Sequence, residues 1–349
     1  MSGGSLPYHL RLNKNIERQV LIDLLTRVSS YKAINEYSYI SFGGPFLEDF
    51  KVLHNQFQVS KMYSIEMSKH VISRQEFNKP SSCISCLNMT SDDLVKTYPF
   101  IKHISDTGEE TNIEINGGVI LWLDYTAPSE LGNQILEFSS MIEKVELGSI
   151  VKITVNANPA SLAAIESLSQ VDTNALNKQE RLLQMRVGKL EKKLGSFFLK
   201  DISTPDMLTN RNYSTVLYRT LLSAAYKALE GESNSFLPLC AFEYSDGQSM
   251  LTLTGIVLKD EDIEPFKQKS AVEGWEYFID EEDKPMEINV PYLSVSEKLR
   301  IDKLLPDGFE GFLEKPEFQV DETENKTRNA LSNYQKYYRF YPNFTKVWI

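Results

Sequence analysis

The sequence lacks any long hydrophobic run. Its apolar stretches are much shorter than the ~20 residues that a helix needs to cross a bilayer. Residues 1–7 show neither the basic nor the apolar region of a secretory signal, so we expect neither a membrane partner nor export. The three cysteines are too few for a disulfide framework, which favours a reducing, cytoplasmic setting.

Positive charge is also scarce. The chain has 37 Lys and Arg against 48 Asp and Glu, which gives a formal net charge of -11. This balance argues against broad affinity for nucleic acid, which is therefore a disfavoured partner. With 349 residues, 42% of them hydrophobic, the chain can form one large α/β domain with an appendage, or two ordinary domains.

Several motifs of known chemistry are missing. Cys83 and Cys86 have the Cys-x-x-Cys spacing of a zinc or redox motif, but they fall in a predicted buried strand without a second pair. We therefore expect no metal site. The sequence also contains no Gly-x-Ser-x-Gly nucleophile elbow and no Walker phosphate loop.

The most informative pattern present begins at the first predicted strand. An apolar run ends at Phe42, breaks into Gly43, Gly44 and Pro45, and resumes with helical spacing, which predicts a strand, a tight turn and a helix. The next short strand ends at Glu66. In two parallel, adjacent strands this carboxylate lies beside the glycine turn, where it can accept hydrogen bonds from a ribose while the glycines admit a ligand. The pattern predicts a nucleoside-binding site.

Strand and helix patterns alternate five times over about 120 residues. Strands are predicted at 37–42, 61–65, 82–87, 118–124 and 148–156, and helices at 8–30, 47–56, 68–78, 91–98 and 129–144. The polar residues 101–117 read as a loop. Beyond residue 160, helices are predicted at 182–194, 213–229 and 294–305, and a hairpin at 236–258 turns at Asp246 and Gly247.

With these elements in order, the chain resembles the class I S-adenosylmethionine-dependent methyltransferases over roughly residues 31–158 and 236–258. The resemblance implies an α/β fold: a doubly wound, mostly parallel seven-stranded sheet with an antiparallel last hairpin, a helical insertion and a small C-terminal domain. It also implies S-adenosylmethionine as cofactor and in-line methyl transfer to an unidentified O or N acceptor. The alternative is a non-catalytic relative that binds an adenosyl ligand as a sensor or scaffold. A NAD-binding fold is disfavoured because the Gly-x-Gly-x-x-Gly spacing is absent.

The resemblance also suggests a division of the chain. An N-terminal helical segment (1–30) precedes a Rossmann-like cofactor-binding domain (31–159) and a helical insertion (160–232). The closing hairpin (233–262) completes the Rossmann-like domain, and an aromatic-rich C-terminal domain (263–349) follows. The insertion is long enough for a lid or a dimer arm, so a homodimer or a protein partner stays open.

The resemblance implies a cofactor site at the ends of the first strands. The glycine turn would meet the methionine portion, Glu66 the ribose hydroxyls and Met67 the adenine, whose amino group would face the residues around Asn88. The full implied set is Phe42, Gly43, Gly44, Pro45, Glu66, Met67, Leu87, Asn88, Met89 and Asp124. The first motif departs from the family's Gly-x-Gly-x-Gly pattern and has no acid in its strand, so Glu48 or Asp49 replaces that acid from the following turn, or nothing does.

The loop after the strand at 118–124 is where the family places its acceptor. Asp124 is the candidate proton acceptor, with Tyr125 as a second catalytic residue and Thr126 and Pro128 as acceptor-binding residues; for Asp124 a supporting or capping role is the alternative. The loop is loosely similar to the Asp-Pro-Pro-Tyr loop of amino-methyltransferases.

Cationic groups are concentrated near the N-terminus. His9, Arg11 and Lys14, with Arg18 behind them, would close over the cofactor carboxylate or hold an anionic acceptor, unless they form a solvated helix face. The aromatic tail 333–349 would stack on bases or dock a partner, although packing on its own domain is the simpler interpretation.

Overall fold

The computed structural model describes residues 11–104, 110–164 and 175–342. Its strands are β1 (Ser38–Ser41), β2 (Lys61–Glu66), β3 (Ile84–Asn88), β4 (Phe100–Ile104), β5 (Glu110–Glu114), β6 (Val119–Asp124), β7 (Ile150–Asn156), β8 (Asn234–Ser245), β9 (Ser249–Lys259) and β10 (Met286–Ile288). Its α-helices are α1 (Leu12–Val28), α2 (Glu48–Phe57), α3 (Lys69–Asn78), α4 (Ser91–Thr97), α5 (Leu131–Lys144), α6 (Ala175–Leu194), α7 (Tyr213–Ala228), α8 (Ile263–Ser270), α9 (Val295–Asp302), α10 (Phe309–Glu314) and α11 (Glu324–Tyr337). Among the described residues, no helix combines the length and the apolar character needed to span a bilayer.

The main sheet confirms the predicted fold class. Its strand order is β10-β8-β9-β7-β6-β1-β2-β3. The five neighbouring strands β3, β2, β1, β6 and β7 are parallel, and the β8–β9 hairpin joins them antiparallel through β9. The expected count of seven strands is one too low, because β10 pairs in parallel with β8 and covers the edge that the hairpin would otherwise expose.

The prediction of a loop at 101–117 is wrong for the described residues, because β4 and β5 form a separate antiparallel pair there; residues 105–109 lie outside the described residues. Its one fully apolar cross-strand pair, Ile101 with Ile113, stands among polar residues. Ile101 is fully buried, and Ile115 next to the hairpin is almost so. Such short strands carry too little alternation to be separated from a polar loop by pattern alone.

Two layers of helices cover the sheet. The core on one face contains residues of α4, α5, α6 and α7, and the core on the other face contains residues of α1, α2, α8, α10 and α11. Tyr334, Tyr337 and Tyr341 of the aromatic tail are buried in the second core, which confirms the packing interpretation for that part of the tail. Phe344 and Trp348 lie outside the described residues.

The N-terminus of α1 is capped by a distant residue. Arg11, directly before the helix, makes no side-chain cap, and the first turn holds no acidic residue. Instead, the backbone N–H groups of Asn13 and Lys14 donate to Asp246 Oδ1 and Oδ2 at 3.2 and 2.7 Å. A carboxylate there satisfies two helix N–H groups and complements the positive end of the helix dipole. The predicted turn residue of the hairpin therefore also fixes α1.

We expect Asp246→Ala to lower the free energy of unfolding by about 1–2 kcal/mol, because both N–H groups lose their acceptor. Asp246→Asn keeps one acceptor oxygen and should lose roughly half as much. Urea denaturation followed by circular dichroism measures both variants. A loss below about 0.3 kcal/mol in the alanine variant would contradict the capping role.

Candidate functional site

The register of the sheet aligns three predicted site positions. β1 pairs in parallel with β2 on one side and with β6 on the other. The last pairs of β1, Ser41 with Ser64 and Ser41 with Trp122, place the turn that follows β1 between the ends of β2 and β6, where Glu66 and Asp124 lie. Neighbouring strands are about 4.8 Å apart, so the three positions form a row at the carboxyl edge of the sheet. Asn88 of β3 pairs with Glu66 and extends the row.

The glycine turn has the backbone conformation that its sequence predicts. Gly43 and Gly44 have φ angles of +67° and +55°, in the left-handed region that favours glycine. A Cβ on Gly43 would lie 2.6 Å from Ser64 Oγ and 2.9 Å from the Phe50 ring. Packing against these atoms therefore favours glycine at position 43, and the approach of a ligand to the turn stays a prediction.

Side chains of α3 hold the turn from behind. Gln75 Nε2 donates to the carbonyls of Phe42 and Gly44 at 3.2 and 2.9 Å, and Asn78 Nδ2 donates to that of Pro45 at 2.8 Å. Gln75 is fully buried. Sequence reasoning missed both amides, since polar residues on a short helix ordinarily face solvent.

Glu66 lies at the turn between β2 and α3. Glu66 Oε1 accepts from the backbone N–H of Ser68 at 2.7 Å, which ties the carboxylate to the start of α3. Asn88 Nδ2 donates to the carbonyls of Glu66 and Met67 at 3.2 and 3.1 Å. Met67 is consequently held outward, with 74% of its surface exposed. An exposed thioether beside a half-buried carboxylate can lie against a flat ring while the carboxylate binds a diol.

Two further positions of the predicted cofactor set are less accessible. Leu87 is fully buried in the core, so it has only backbone to offer a ligand. Met89, also buried, follows β3 and donates its N–H to the Glu66 carbonyl at 3.2 Å.

Asp124, at the end of β6, forms an ion pair with Lys14 of α1. Lys14 Nζ lies 2.8 Å from Asp124 Oδ2, and the two side chains are only 6% and 11% exposed. Asp124 Oδ1 is buried and has no hydrogen-bond partner among the described residues. Lys14, predicted to bind substrate, thus lies at the site but directs its charge to Asp124; Arg11 is half-buried before α1, and His9 lies outside the described residues.

A second group of charges lies beneath the glycine turn. Arg18 Nη1 is 3.9 Å from Glu48 Oε2, and the Tyr39 hydroxyl donates to Asp49. Burial raises the pKa of Asp49, the charge of Arg18 opposes that rise, and the charge of Asp124 adds to it. Of the two acids considered for the missing strand acid, Asp49 is buried beneath the turn and Glu48 pairs with Arg18.

Tyr125 is a packed residue whose hydroxyl is engaged. It is 8% exposed, its ring contacts Phe42 edge-on at 5.2 Å, and its hydroxyl donates to Glu137 of α5. Burial, followed by the charge of Glu137, raises the pKa of Tyr125. This arrangement fits a supporting role beneath the turn; the predicted catalytic role stays a prediction. Thr126 beside it is exposed.

The end of α6 fixes the loop after β6. Lys193 Nζ donates to the carbonyls of Pro128 and Ser129 at 2.8 and 3.3 Å, and Pro128 itself is half-buried. A Cβ on Gly132 would lie 2.1 Å from the Lys193 carbonyl oxygen, so α6 sits directly on the first turn of α5. Sequence reasoning missed Lys193, which belongs to a run of lysines typical of a solvated face.

A cavity of about 840 Å³ lies elsewhere in the described part of the chain. It is formed by the outer side of α7, residues 199–207 and the acidic residues 281–282. None of the predicted site residues lines it. The row at the carboxyl edge, not this cavity, therefore holds the chemistry that the sequence predicts.

Comparison with known proteins shows the family of the chain. A family model described as "Putative O-methyltransferase" matches residues 6–349. The chain belongs to this family. Membership confirms the resemblance to the class I methyltransferases, together with the sheet order described above. No curated protein matches the chain at a significant level.

Two solved structures illustrate what this family member is similar to. The N-methyltransferase NodS from Bradyrhizobium japonicum WM9 has 9% identity and a TM-score of 0.36, over 70% of this chain and 97% of its own. Trm1 from Pyrococcus horikoshii, solved with S-adenosyl-L-methionine, has 9% identity and a TM-score of 0.35, over 70% of this chain and 55% of its own. The family assignment rests on the matched family model, which covers nearly the whole chain.

Proposed function

We propose that the protein is an S-adenosylmethionine-dependent methyltransferase that acts on an oxygen acceptor. The observation that carries the proposal is the row at the carboxyl edge, in which a left-handed glycine turn lies between Glu66 and Asp124. Ligands of open α/β sheets bind at this edge, outside the carboxyl ends of the strands. The family description supports oxygen as the accepting atom.

The residues present fit such a cofactor. Glu66 offers a carboxylate for two ribose hydroxyls, and Met67 offers an exposed apolar side chain for a purine. The buried, unpartnered Asp124 Oδ1 needs a hydrogen-bond donor, which the methionine ammonium would supply. Bound S-adenosylmethionine would provide a methyl group already activated on a sulfonium.

The chain then has little covalent chemistry to perform. Because the donor is activated, the protein must place an acceptor oxygen in line and exclude water. Asp124 is our candidate for taking the acceptor proton, since its carboxylate ends β6 directly before the loop that carries Thr126 and Pro128. We further propose that Thr126 and Pro128, next to it, line the acceptor side.

The helical insertion supports a role in acceptor binding. Lys193 of α6 holds the loop of Pro128, and Arg186 of the same helix donates to the carbonyls of Ala163 and Leu208 at 3.0 and 2.8 Å. Ala163 belongs to the segment that follows β7, at the same edge of the sheet. We propose that α6 fixes the loop after β6 and the segment after β7, and thereby shapes the acceptor pocket.

We expect Glu66→Gln to weaken S-adenosylmethionine binding by about 10- to 100-fold. The amide keeps an acceptor for Ser68 but loses the charge that strengthens hydrogen bonds to the ribose. Isothermal titration calorimetry measures the change. Glu76→Gln is the matched control, because Glu76 lies on α3 and is paired with Lys79 at the surface, and its affinity should equal that of the wild type.

Two results would end the proposal for the cofactor. One is the absence of S-adenosylmethionine binding by the wild-type protein. The other is wild-type affinity in Glu66→Gln.

The non-catalytic alternative also has an observation in its favour. Asp124 and Tyr125, the two predicted catalytic residues, are engaged by Lys14 and Glu137. A sensor or scaffold would bind S-adenosylmethionine yet transfer no labelled methyl group to any fraction of a cell extract. Transfer by the wild type that falls much further in Asp124→Ala than the cofactor affinity of that variant does favours the enzyme.

A further inference from the structure

Helix α1 directs two cations at the candidate site. Lys14 and Arg18 are four residues apart and therefore share one face of the helix. Lys14 reaches Asp124, and Arg18 reaches Glu48 at the start of α2 while its guanidinium lies 5.5 Å from the Trp122 ring. The N-terminal segment, which is outside the parallel core, thus contributes charge to the edge where the ligand is expected.

The Lys14 contact distinguishes the two carboxylate oxygens of Asp124. Its ammonium binds Oδ2 at 2.8 Å, and Oδ1 stays buried without a partner among the described residues. A buried, unpartnered carboxylate oxygen is unfavourable unless a ligand supplies the missing donor. The charged groups around Asp124 are Lys14 from α1, and Asp49 with its neighbour Arg18 from beneath the turn.

The hairpin tip fixes Lys14 from the other side. Asp246 Oδ2 accepts the backbone N–H of Lys14 at 2.7 Å, while the Asn13 side chain donates to the Ser245 carbonyl at 3.0 Å. The backbone of Lys14 is therefore held by the tip of the β8–β9 hairpin, and its side chain is held by Asp124 of β6. This double anchorage leaves the ammonium little freedom to turn elsewhere.

We propose that Lys14 is a positioning residue: anchored by Asp246, it supplies the counter-charge at Asp124 Oδ2 and leaves Asp124 Oδ1 for the ligand. The inference rests on the function proposed above and adds a role for the N-terminal helix in it. Lys14 acts through Asp124 and need not touch the substrate.

The test compares S-adenosylmethionine affinity at pH 6, 7 and 8 in the wild type, Lys14→Met and Lys14→Arg. A buried carboxylate that has lost its cation takes up a proton more readily, so the methionine variant should bind worse as the pH falls. We expect its affinity relative to the wild type to drop by about 10-fold between pH 8 and pH 6. The arginine variant keeps the charge and should stay within about 3-fold of the wild type.

The double variant Lys14→Met/Asp124→Asn separates positioning from general damage to the fold. Without a carboxylate at position 124, the additional pH dependence should vanish. A pH profile of Lys14→Met parallel to the wild type overturns the inference, and so does pH dependence that persists in the double variant.

A second measurement needs no ligand and distinguishes this inference from the proposed function. In Lys14→Met the buried carboxyl group of Asp124 has no counter-charge, so its charged form destabilises the fold more than its protonated form does. The free energy of unfolding of the variant, relative to the wild type, should therefore fall as the pH rises from 5 to 8. A difference in urea midpoint that does not change with pH overturns the role of Lys14. If the wild type binds no S-adenosylmethionine, the proposed function fails and the ligand part of the inference fails with it, whatever the urea midpoints show.

Discussion

Replacing Lys152 with methionine should lower the free energy of unfolding by about 3–5 kcal/mol. Lys152 of β7 and Glu17 of α1 form an ion pair in which each side chain is 1% exposed. The ammonium also lies 4.6 Å from the Trp122 ring, and the Thr252 hydroxyl donates to Glu17 at 3.4 Å. Removing the cation leaves the Glu17 carboxylate buried without the ammonium that neutralises it. Urea denaturation measures the loss.

Two further variants test the reason for this loss. Glu17→Leu/Lys152→Met removes both charges and should recover most of the stability, because a buried ion pair is often matched by apolar residues of similar volume. Lys96→Met, which breaks a pair between exposed Lys96 and Asp92, should change the free energy by at most about 1 kcal/mol. If the double variant is as unstable as Lys152→Met, the loss comes from packing and not from the charge.

Gly43→Ala should lower the free energy of unfolding by about 2–5 kcal/mol and abolish cofactor binding. The left-handed backbone at φ +67° is strained for alanine by roughly 1–2 kcal/mol. The new Cβ would also lie within 3 Å of Ser64, Leu47 and Phe50, and overpacking typically adds about 1–3 kcal/mol. The turn must move to relieve these contacts. Cofactor binding should be lost because the turn is the centre of the proposed site.

Gly117→Ala separates these two contributions. Gly117 has φ +84°, and no atom lies within 4 Å of the position that its Cβ would take, so only the backbone strain of roughly 1–2 kcal/mol remains. Cofactor affinity should be unchanged, because Gly117 precedes β6 at the opposite end of that strand. Equal losses in the two alanine variants would contradict the packing argument for Gly43.

The sequence was sufficient for the parts of the fold that are local. The run ending at Phe42, the two glycines and the helix after them lie within one stretch of chain, so their pattern predicts a strand, turn and helix directly. The hairpin at Asp246 was equally clear, because a two-residue Asp-Gly turn between β-rich runs is a strong local signal. When such strands lie parallel and adjacent, the glycine turn and the carboxylate that ends the next strand meet at one edge of the sheet.

The contacts that define the site were not predictable in this way. Lys14 and Asp124 are 110 residues apart, and no periodicity indicates that α1 reaches β6. Gln75 resembles a solvated residue until the turn carbonyls it binds are in place. Strand β10 has three residues, too few for an alternating pattern, and exists because β8 offers an unpaired edge.

The Asp246 cap on α1 has a consequence for the order of assembly. The acceptor for the Lys14 N–H is 232 residues further along the chain, so during synthesis α1 emerges long before its cap exists. Contacts of such sequence separation carry a large loop-closure entropy and tend to form slowly. The contacts that fix α1, and through Lys14 the side chain of Asp124, are therefore expected to be among the last to form, after the β8–β9 hairpin has closed.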